Sequence, residues 1–351
     1  MVIKILDNIQ KYLFLWIAGA IFSGLAVVAT SGGYPFSPFI CLLAALVMIY
    51  PSLVPLDFGK LKISLKDHKL IFISLFFNFL ISPALALLLG YVFLNENPAL
   101  WIGLILLSLL PGGGMATTWA LKSRSDMPSI VGIVIFNLLA AILIAPAAIS
   151  HTLDRMEIPD QSELASDVCP IGSLSGGVMS CGLGGGEMNS AKIGLAVFFI
   201  VVIPLIMAYI SQKIIVYYKN REHLERLKPV FGKASNAGLI LILFMLMSLE
   251  NNKIIFSNPE LIAQSIFPLV WYYMVIGIMT FAVYRKFFNN SKGKALFWGT
   301  YLRYITLALG LAISFIFQDP NLSTMIIPII LSYFIQIPSS FWLAKHLKEN
   351  I

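Results

Sequence analysis

The chain alternates long apolar stretches with short polar connections along almost its whole length. A helix needs about 20 mostly apolar residues to cross roughly 30 Å of hydrocarbon at ~1.5 Å per residue. Ten stretches meet that length, so the pattern predicts ten membrane-spanning helices. The predicted spans are 12–31, 35–56, 70–94, 98–121, 128–150, 191–217, 232–249, 262–284, 294–317 and 322–344.

The composition agrees with a chain that folds in lipid. Of the 351 residues, 58% are hydrophobic and only 12% are charged, and the mean hydropathy is +0.87. Soluble domains carry about 25% charged residues. The low charged fraction therefore predicts that the chain lies in the lipid bilayer. In a membrane protein, a net charge of +7 indicates cytoplasmic loops rather than a nucleic-acid partner.

The 24 lysines and arginines are distributed unevenly among the connections. With ten spans, 20 of them lie on the side that holds both termini, 3 lie on the opposite side, and Arg303 lies within a span. Positively charged loops are retained in the cytoplasm. The distribution therefore predicts a multi-pass protein of the plasma (cytoplasmic) membrane with cytoplasmic N- and C-termini.

The connection between the fifth and sixth spans, 151–190, is the longest on its side. It begins with acidic residues and then becomes rich in glycine and serine, which is typical of a partly flexible segment. It predicts an extracytoplasmic loop between a first five-span repeat, 1–150, and a second, 191–351. Cys169 and Cys181 lie in this loop, and the sequence leaves open whether they form a disulfide or stay reduced.

The fourth span is interrupted by Pro111 and three glycines that follow it, Gly112 to Gly114. Inside a helix, proline costs about 3 kcal/mol and each glycine up to about 1 kcal/mol relative to alanine. Broken backbone at membrane depth is tolerated only where it is buried in protein or lines a cavity. The motif predicts an unwound segment near Gly112–Gly114, and a simple proline kink is the alternative.

Arg303 is the only charged residue well inside any span, and it lies in the ninth. Its burial costs at least about 2.5–3.5 kcal/mol, so a partner or an aqueous cavity is expected. We predict that the ninth span is unwound near Gly299–Leu302 and that the guanidinium points toward Gly112–Thr118. The alternative is a structural arginine that caps backbone carbonyl groups.

Spans 4 and 9 hold the same place in their halves, and an odd number of spans gives the halves opposite orientations. The sequence therefore predicts an all-α polytopic membrane protein with two inverted five-helix repeats and broken, crossing spans 4 and 9. The N-terminal dipole of each second half-helix would favour anionic groups or polarised oxygens at the crossing.

At these interruptions the chain resembles the bile acid:sodium symporter superfamily, whose members have nine or ten spans in two inverted repeats with broken, crossing spans 4 and 9. Pro111-Gly112-Gly113 is similar to a motif of the organic-anion symporter branch. Other stretches look closer to the arsenical-resistance (arsenite efflux permease) branch. They are Met48-Ile49-Tyr50-Pro51, Asp57-Phe58-Gly59-Lys60-Leu61, Asn78 with Pro83, Gly103-Leu104-Ile105-Leu106, Met115 and Trp119.

The chain departs from both branches at positions that bear on substrate and ions. The resemblance aligns Gly112 with a cysteine that binds metalloid in the arsenite branch, and soft As(III) prefers thiolate. It aligns Gly299-Thr300-Tyr301 with the region where the symporter branch has an ion-site glutamate, and Arg303 with a frequent glutamine. The resemblance also aligns Asn137 in the fifth span with a polar ion-site residue of family members.

The resemblance implies a secondary active transporter of the bile acid:sodium symporter type that moves a small organic anion, with Na⁺ coupling left open. The alternative is an arsenite or antimonite efflux permease, for which the substrate is a metalloid. Aspartate, glutamate and histidine are absent from the spans, which disfavours an enzyme and also disfavours a proton carrier.

The predicted substrate and ion site gathers the residues of the two interruptions and the polar residues expected near them. Its members are Gly112, Gly113, Gly114, Thr117, Thr118, Asn78, Asn137, Thr300 and Arg303. Thr117, Thr118 and Asn137 are the predicted hard-oxygen ligands of one Na⁺, and neither another metal, nor a cofactor, nor a catalytic residue is predicted. The polar side chains should face the protein interior because exposure to lipid is costly.

Overall fold

A computed structural model describes residues 6, 8–9, 12–34, 38–56, 67–155, 190–248, 259–288, 290–316 and 324–349. In this part of the chain the regular structure is helical. The helices are α1 Leu13–Ser31, α2 Pro38–Leu53, α3 His68–Phe76, α4 Ser82–Phe93, α5 Pro98–Leu109, α6 Gly114–Lys122, α7 Met127–Arg155, α8 Ser190–Lys219, α9 Arg221–Met247, α10 Glu260–Phe287, α11 Ser291–Tyr301, α12 Ile305–Ile316 and α13 Ile326–Glu349. A π-helical turn, Phe77–Ile81, joins α3 to α4.

Several helices are long and apolar enough to cross a bilayer. Within the described residues there are 7 such segments, and Leu43–Leu53 and Pro98–Leu109 are shorter apolar helices. Large apolar side chains such as Phe22, Phe72 and Leu143 are exposed, as expected of a surface that faces lipid. The protein is therefore a multi-pass, all-helical membrane protein, whereas the ten-span inverted repeat and the cytoplasmic termini stay predictions.

Two of the predicted spans consist of two short helices each. The first is interrupted between α5 and α6, at 110–113, and the second between α11 and α12, at 302–304. The second interruption lies farther along the chain than predicted, because Gly299 to Tyr301 are still helical. The helix ends there because the N–H of Arg303 donates to Gln336 Oε1 (2.9 Å) instead of to a carbonyl of its own helix.

The two interruptions pair with each other. Pro111 and Arg303 form an isolated antiparallel bridge, and the N–H of Tyr304 donates to the carbonyl of Leu110 at 3.1 Å. Each of these groups has lost its helical partner, and lipid offers none. The broken segments therefore satisfy one another, and the two broken helices meet at this point.

The helices pack in two groups that meet at the interruptions. The smaller helix group contains α1, α2, α8 and α9, and the larger helix group contains α3–α7 and α10–α13. Between the groups, α2 packs on α12 and α8 packs on α7. Glycines permit close packing inside each group, since Gly24 contacts α9 at Met247 and Gly103 contacts the start of α13 at Met325.

Cys169 and Cys181 lie outside the described residues, and so does most of the 151–190 loop. At the edges of that loop, α7 continues to Arg155 and α8 begins at Ser190. The division into 1–150 and 191–351 stays a prediction.

The contact between α5 and α13 provides a test of the packing. A Cβ at Gly103 would lie 2.1 Å from the backbone oxygen of Met325, so Gly103→Ala must push the two helices apart. We expect a loss of about 1–3 kcal/mol, typical of overpacking, seen as a lower thermal midpoint of the purified protein in detergent. Gly19→Ala in α1 is the control, because nothing lies within 4 Å of its Cβ, and equal midpoints for the two variants would contradict the packing.

Candidate functional site at the helix crossing

The guanidinium of Arg303 is enclosed by neutral oxygens. Its Nη1 donates to Asn78 Oδ1 at 2.9 Å and to the carbonyl of Ser108 at 3.2 Å, and its Nη2 donates to the carbonyl of Thr300 at 2.7 Å. The ring of Tyr272 lies 5.7 Å from Cζ, and the side chain is only 1% exposed. No carboxylate of the described residues contacts it, and Nε has no hydrogen-bond partner.

The direction of this side chain corrects the sequence-based prediction. The guanidinium does not point toward Gly112–Thr118, because its partners are Asn78 and carbonyl groups at the ends of α5 and α11. Helix C-termini carry partial negative charge and unpaired carbonyls, and both attract a cation. These contacts are the ones expected of the alternative, an arginine that ties off the ends of broken helices, whereas substrate binding by Arg303 stays a prediction.

Asn78 links the third predicted span to the ninth. It lies in the π-helical turn, is fully buried, and donates from Nδ2 to the carbonyl of Gly299 at 3.0 Å while its Oδ1 accepts from Arg303. Its amide therefore uses both its donor and its acceptor side. π-helical turns are frequent at functional sites, and this one holds the Asn78 side chain that contacts the ninth span.

The side chain of Gln336 on α13 fixes the second interruption. Its Oε1 accepts from the N–H of Arg303 (2.9 Å) and from the hydroxyl of Tyr273 (3.0 Å), and its Nε2 donates to the carbonyl of Arg303 (3.3 Å). One amide thus satisfies both backbone groups of the residue at the centre of the break. Gln336 is not among the predicted site residues, although a glutamine within an apolar span is a signal that could have identified it.

The three glycines of the first interruption are places of close approach. A Cβ would lie 3.1 Å from the carbonyl oxygen of Leu302 at Gly112, 2.6 Å from the ring of Tyr304 at Gly113, and 2.3 Å from the carbonyl oxygen of Ser52 at Gly114. No other residue type fits these positions without displacing a neighbour. The absence of side chains therefore brings the start of α6 directly against α2 and the second interruption.

Comparison with known proteins adds to this geometry. Residues 42–175 match the Sodium Bile acid symporter family. The resemblance to the bile acid:sodium symporter superfamily is confirmed. The chain is similar to the arsenical-resistance protein Acr3 of Corynebacterium glutamicum, with 27% identity over 278 residues, 76% of this chain and 69% of the relative. It is also similar to Acr3 of Alkaliphilus metalliredigens, with 24% identity over 305 residues, 81% of this chain and 75% of the relative.

The predicted Na⁺ ligands lie in two separate hydrogen-bonded groups. Thr117 and Thr118 donate to the carbonyl of Gly114 at 2.8 and 3.2 Å, and Thr118 is exposed rather than interior. Asn137 exchanges hydrogen bonds with Ser74 at 3.1 and 3.3 Å. Among the described residues no hydrogen bond joins the two groups, and Na⁺ binding at these side chains stays a prediction.

The remaining predicted site residue, Thr300, contributes its backbone carbonyl to the hydrogen bonds of Arg303. Its carbonyl accepts from Arg303, while its buried hydroxyl donates to the carbonyl of Leu296 at 2.8 Å inside α11. The described part of the chain contains no group of three or more His, Cys, Asp or Glu side chains that could hold a metal ion. Its polar site is built from amides, hydroxyls, backbone groups and one arginine.

Asn78 provides a test of the network around the arginine. Asn78→Leu removes the acceptor for Nη1 and the donor for the Gly299 carbonyl, and buried groups left unpaired cost about 1–3 kcal/mol each. We expect a thermal midpoint several degrees below that of the wild type, measured by intrinsic fluorescence in detergent.

The matched control is Asn97→Leu, which removes a half-buried hydrogen bond to Gln264 (2.7 Å) near the start of α5. Water can replace the lost partner there, so its effect should be small. Equal shifts for the two variants would show that the network around Arg303 contributes nothing special.

Proposed function

We propose that this protein is a secondary transporter that carries a small oxyacid past the crossing of its two broken helices, with arsenite as the first substrate to test. The observation that carries the proposal is the set of polar groups that the crossing of the two broken helices offers. The hydroxyls of Ser52 and Tyr304 lie beside the starts of α6 and α12, whereas the guanidinium of Arg303 is bound to protein oxygens. The arsenical-resistance relatives support the choice of arsenite.

Recognition of arsenite would here depend on oxygen rather than sulfur. Trivalent arsenic prefers thiolate ligands, but Gly112 stands where the resemblance expects a cysteine. The chain has three cysteines: Cys41 belongs to α2, and Cys169 and Cys181 lie outside the described residues. In neutral solution arsenite is an uncharged trihydroxide, which exchanges hydrogen bonds with hydroxyl and backbone groups without any thiolate.

A small organic anion is the second candidate, and Arg303 is the observation that favours it. The guanidinium keeps its charge, no carboxylate of the described residues contacts it, and the starts of two half-helices add partial positive charge. Such a site is electropositive even though the arginine donates its hydrogen bonds to protein oxygens.

The energy source is part of the proposal. Among the described residues no aspartate, glutamate or histidine is buried, so a proton carrier at membrane depth is missing there. Na⁺ coupling through Thr117, Thr118 and Asn137 is the proposed alternative and would need these side chains to come together during transport. The arginine, held by an amide oxygen and two carbonyls, supplies a fixed positive charge where a bound cation would otherwise be expected.

Uptake into proteoliposomes tests the function directly. We expect accumulation of arsenite, and of antimonite as its heavier analogue, above that of empty liposomes. Parallel assays with small carboxylates, with and without a Na⁺ gradient, separate the organic-anion candidate and the coupling ion. Equal uptake by empty and protein-containing liposomes for every one of these substrates would refute the proposal.

Replacement of Arg303 tests its part in transport. Arg303→Lys keeps the charge, but a single ammonium cannot bridge the three oxygens that two guanidinium nitrogens contact, so we expect transport to fall about tenfold or more. Arg303→Gln should make transport sensitive to Na⁺. Arg226→Lys is the control, since that arginine is exposed and pairs with Glu222 (2.7 Å), and it should transport as the wild type does.

A cysteine-free variant tests the use of oxygen ligands. With Cys41→Ser, Cys169→Ser and Cys181→Ser combined, we expect arsenite transport within about twofold of the wild type, because no thiolate is needed. Loss of transport by folded, correctly inserted protein would instead establish thiolate recognition. X-ray absorption of the wild-type complex gives an independent check, with arsenic–oxygen contacts expected and arsenic–sulfur contacts excluded.

A further inference from the structure

A cluster of buried hydroxyl groups lies around the start of α12. Tyr304 and Thr306 belong to the chain around the second interruption, and Tyr333 belongs to α13. The hydroxyl of Tyr304 forms a hydrogen bond with Ser52 Oγ on α2. Thr306 follows Tyr304 by two residues, and Tyr333 lies on α13, which packs against α12.

Two members of this cluster have no hydrogen-bond partner. Thr306 is 7% exposed and Tyr333 is 1% exposed, and neither Thr306 Oγ1 nor the Tyr333 hydroxyl is bonded. Buried polar side chains are nearly always hydrogen-bonded, so each exception needs an explanation. Thr306 at the start of α12 and Tyr333 on the neighbouring α13 therefore each have a hydroxyl that a ligand could use as donor or acceptor.

The starts of two helices supply further donors at this place. Thr306 is the second residue of α12, and the ring of Tyr304 lies against Gly113, directly before α6. The first N–H groups of a helix lack intrahelical partners and carry partial positive charge. A ligand beside Thr306 therefore meets hydroxyls that can donate or accept and N–H groups that only donate.

We propose that Thr306 and Tyr333, together with Tyr304, form a substrate subsite for a small oxyacid that still carries hydroxyl groups. The proposal rests on the proposed transport function and names the residues and the protonation form that it uses. The buried residues of the described chain include no carboxylate and no histidine to accept a proton, and the guanidinium is committed to other oxygens. A neutral hydroxyl-bearing ligand both donates and accepts, and it escapes the desolvation cost of a multiply charged anion.

Isosteric variants test the subsite. Thr306→Val and Tyr333→Phe each remove one hydroxyl and retain the shape, and binding of arsenite to the purified protein is measured by calorimetry. We expect each variant to weaken affinity about 3- to 10-fold, as for one lost hydrogen bond, and the double variant to weaken it further. Phosphate, largely ionised at neutral pH, should bind less tightly than arsenite.

Ser340→Ala is the matched control. Ser340 is also fully buried and unpartnered, and it lies on α13 two turns beyond Tyr333. It should retain wild-type affinity for arsenite. Because all three changes remove an unsatisfied hydroxyl, the thermal midpoints without ligand should not fall, so a loss of affinity in the other two variants cannot be attributed to misfolding.

The results separate this subsite from the transport function. If the wild-type protein transports arsenite but Thr306→Val and Tyr333→Phe retain its affinity, the subsite is refuted and the function stands. Equal weakening in Ser340→Ala, or tighter binding of phosphate than of arsenite, also refutes the subsite. A wild-type protein that neither binds nor transports arsenite refutes the proposed function and the subsite with it.

Discussion

Backbone polar groups without water to pair with are the constraint on which this structure depends. A helix broken inside hydrocarbon exposes N–H and C=O groups that lipid cannot satisfy. Here the backbone groups freed by the two breaks find partners in the protein. The N–H of Tyr304 donates to the carbonyl of Leu110, and the side chain of Gln336 bonds to both backbone groups of Arg303. The crossing is therefore a mutual requirement of the two broken helices.

The arginine follows from the same constraint. Ser108 and Thr300 offer carbonyls at two helix ends, and a guanidinium with several donors in one plane can satisfy both together with Asn78. Its positive charge is also attracted to the negative C-terminal ends of the two helix dipoles. This use explains how a cation can be buried without a contacting carboxylate among the described residues.

The polar groups around the crossing differ in how they are satisfied. At the ends of α5 and α11 they are bonded to the arginine and to Asn78. At the start of α12 the hydroxyl of Thr306 is unpartnered, as is the hydroxyl of Tyr333 on α13. In the proposed function, a substrate that gains hydrogen bonds would find them at these hydroxyls, without a thiolate or a carboxylate.

The sequence by itself determined the helical character, the approximate helix ranges and the presence of two interruptions, because span length, proline, glycine and charge act locally along the chain. Only the tertiary structure decided the direction of Arg303, the roles of Gln336 and Tyr333 and the separation of Thr117 from Asn137. Hydropathy gives the depth of a residue in the membrane but only weakly the rotation of its helix. A side chain's partner depends on that rotation, and packing against neighbouring helices sets it.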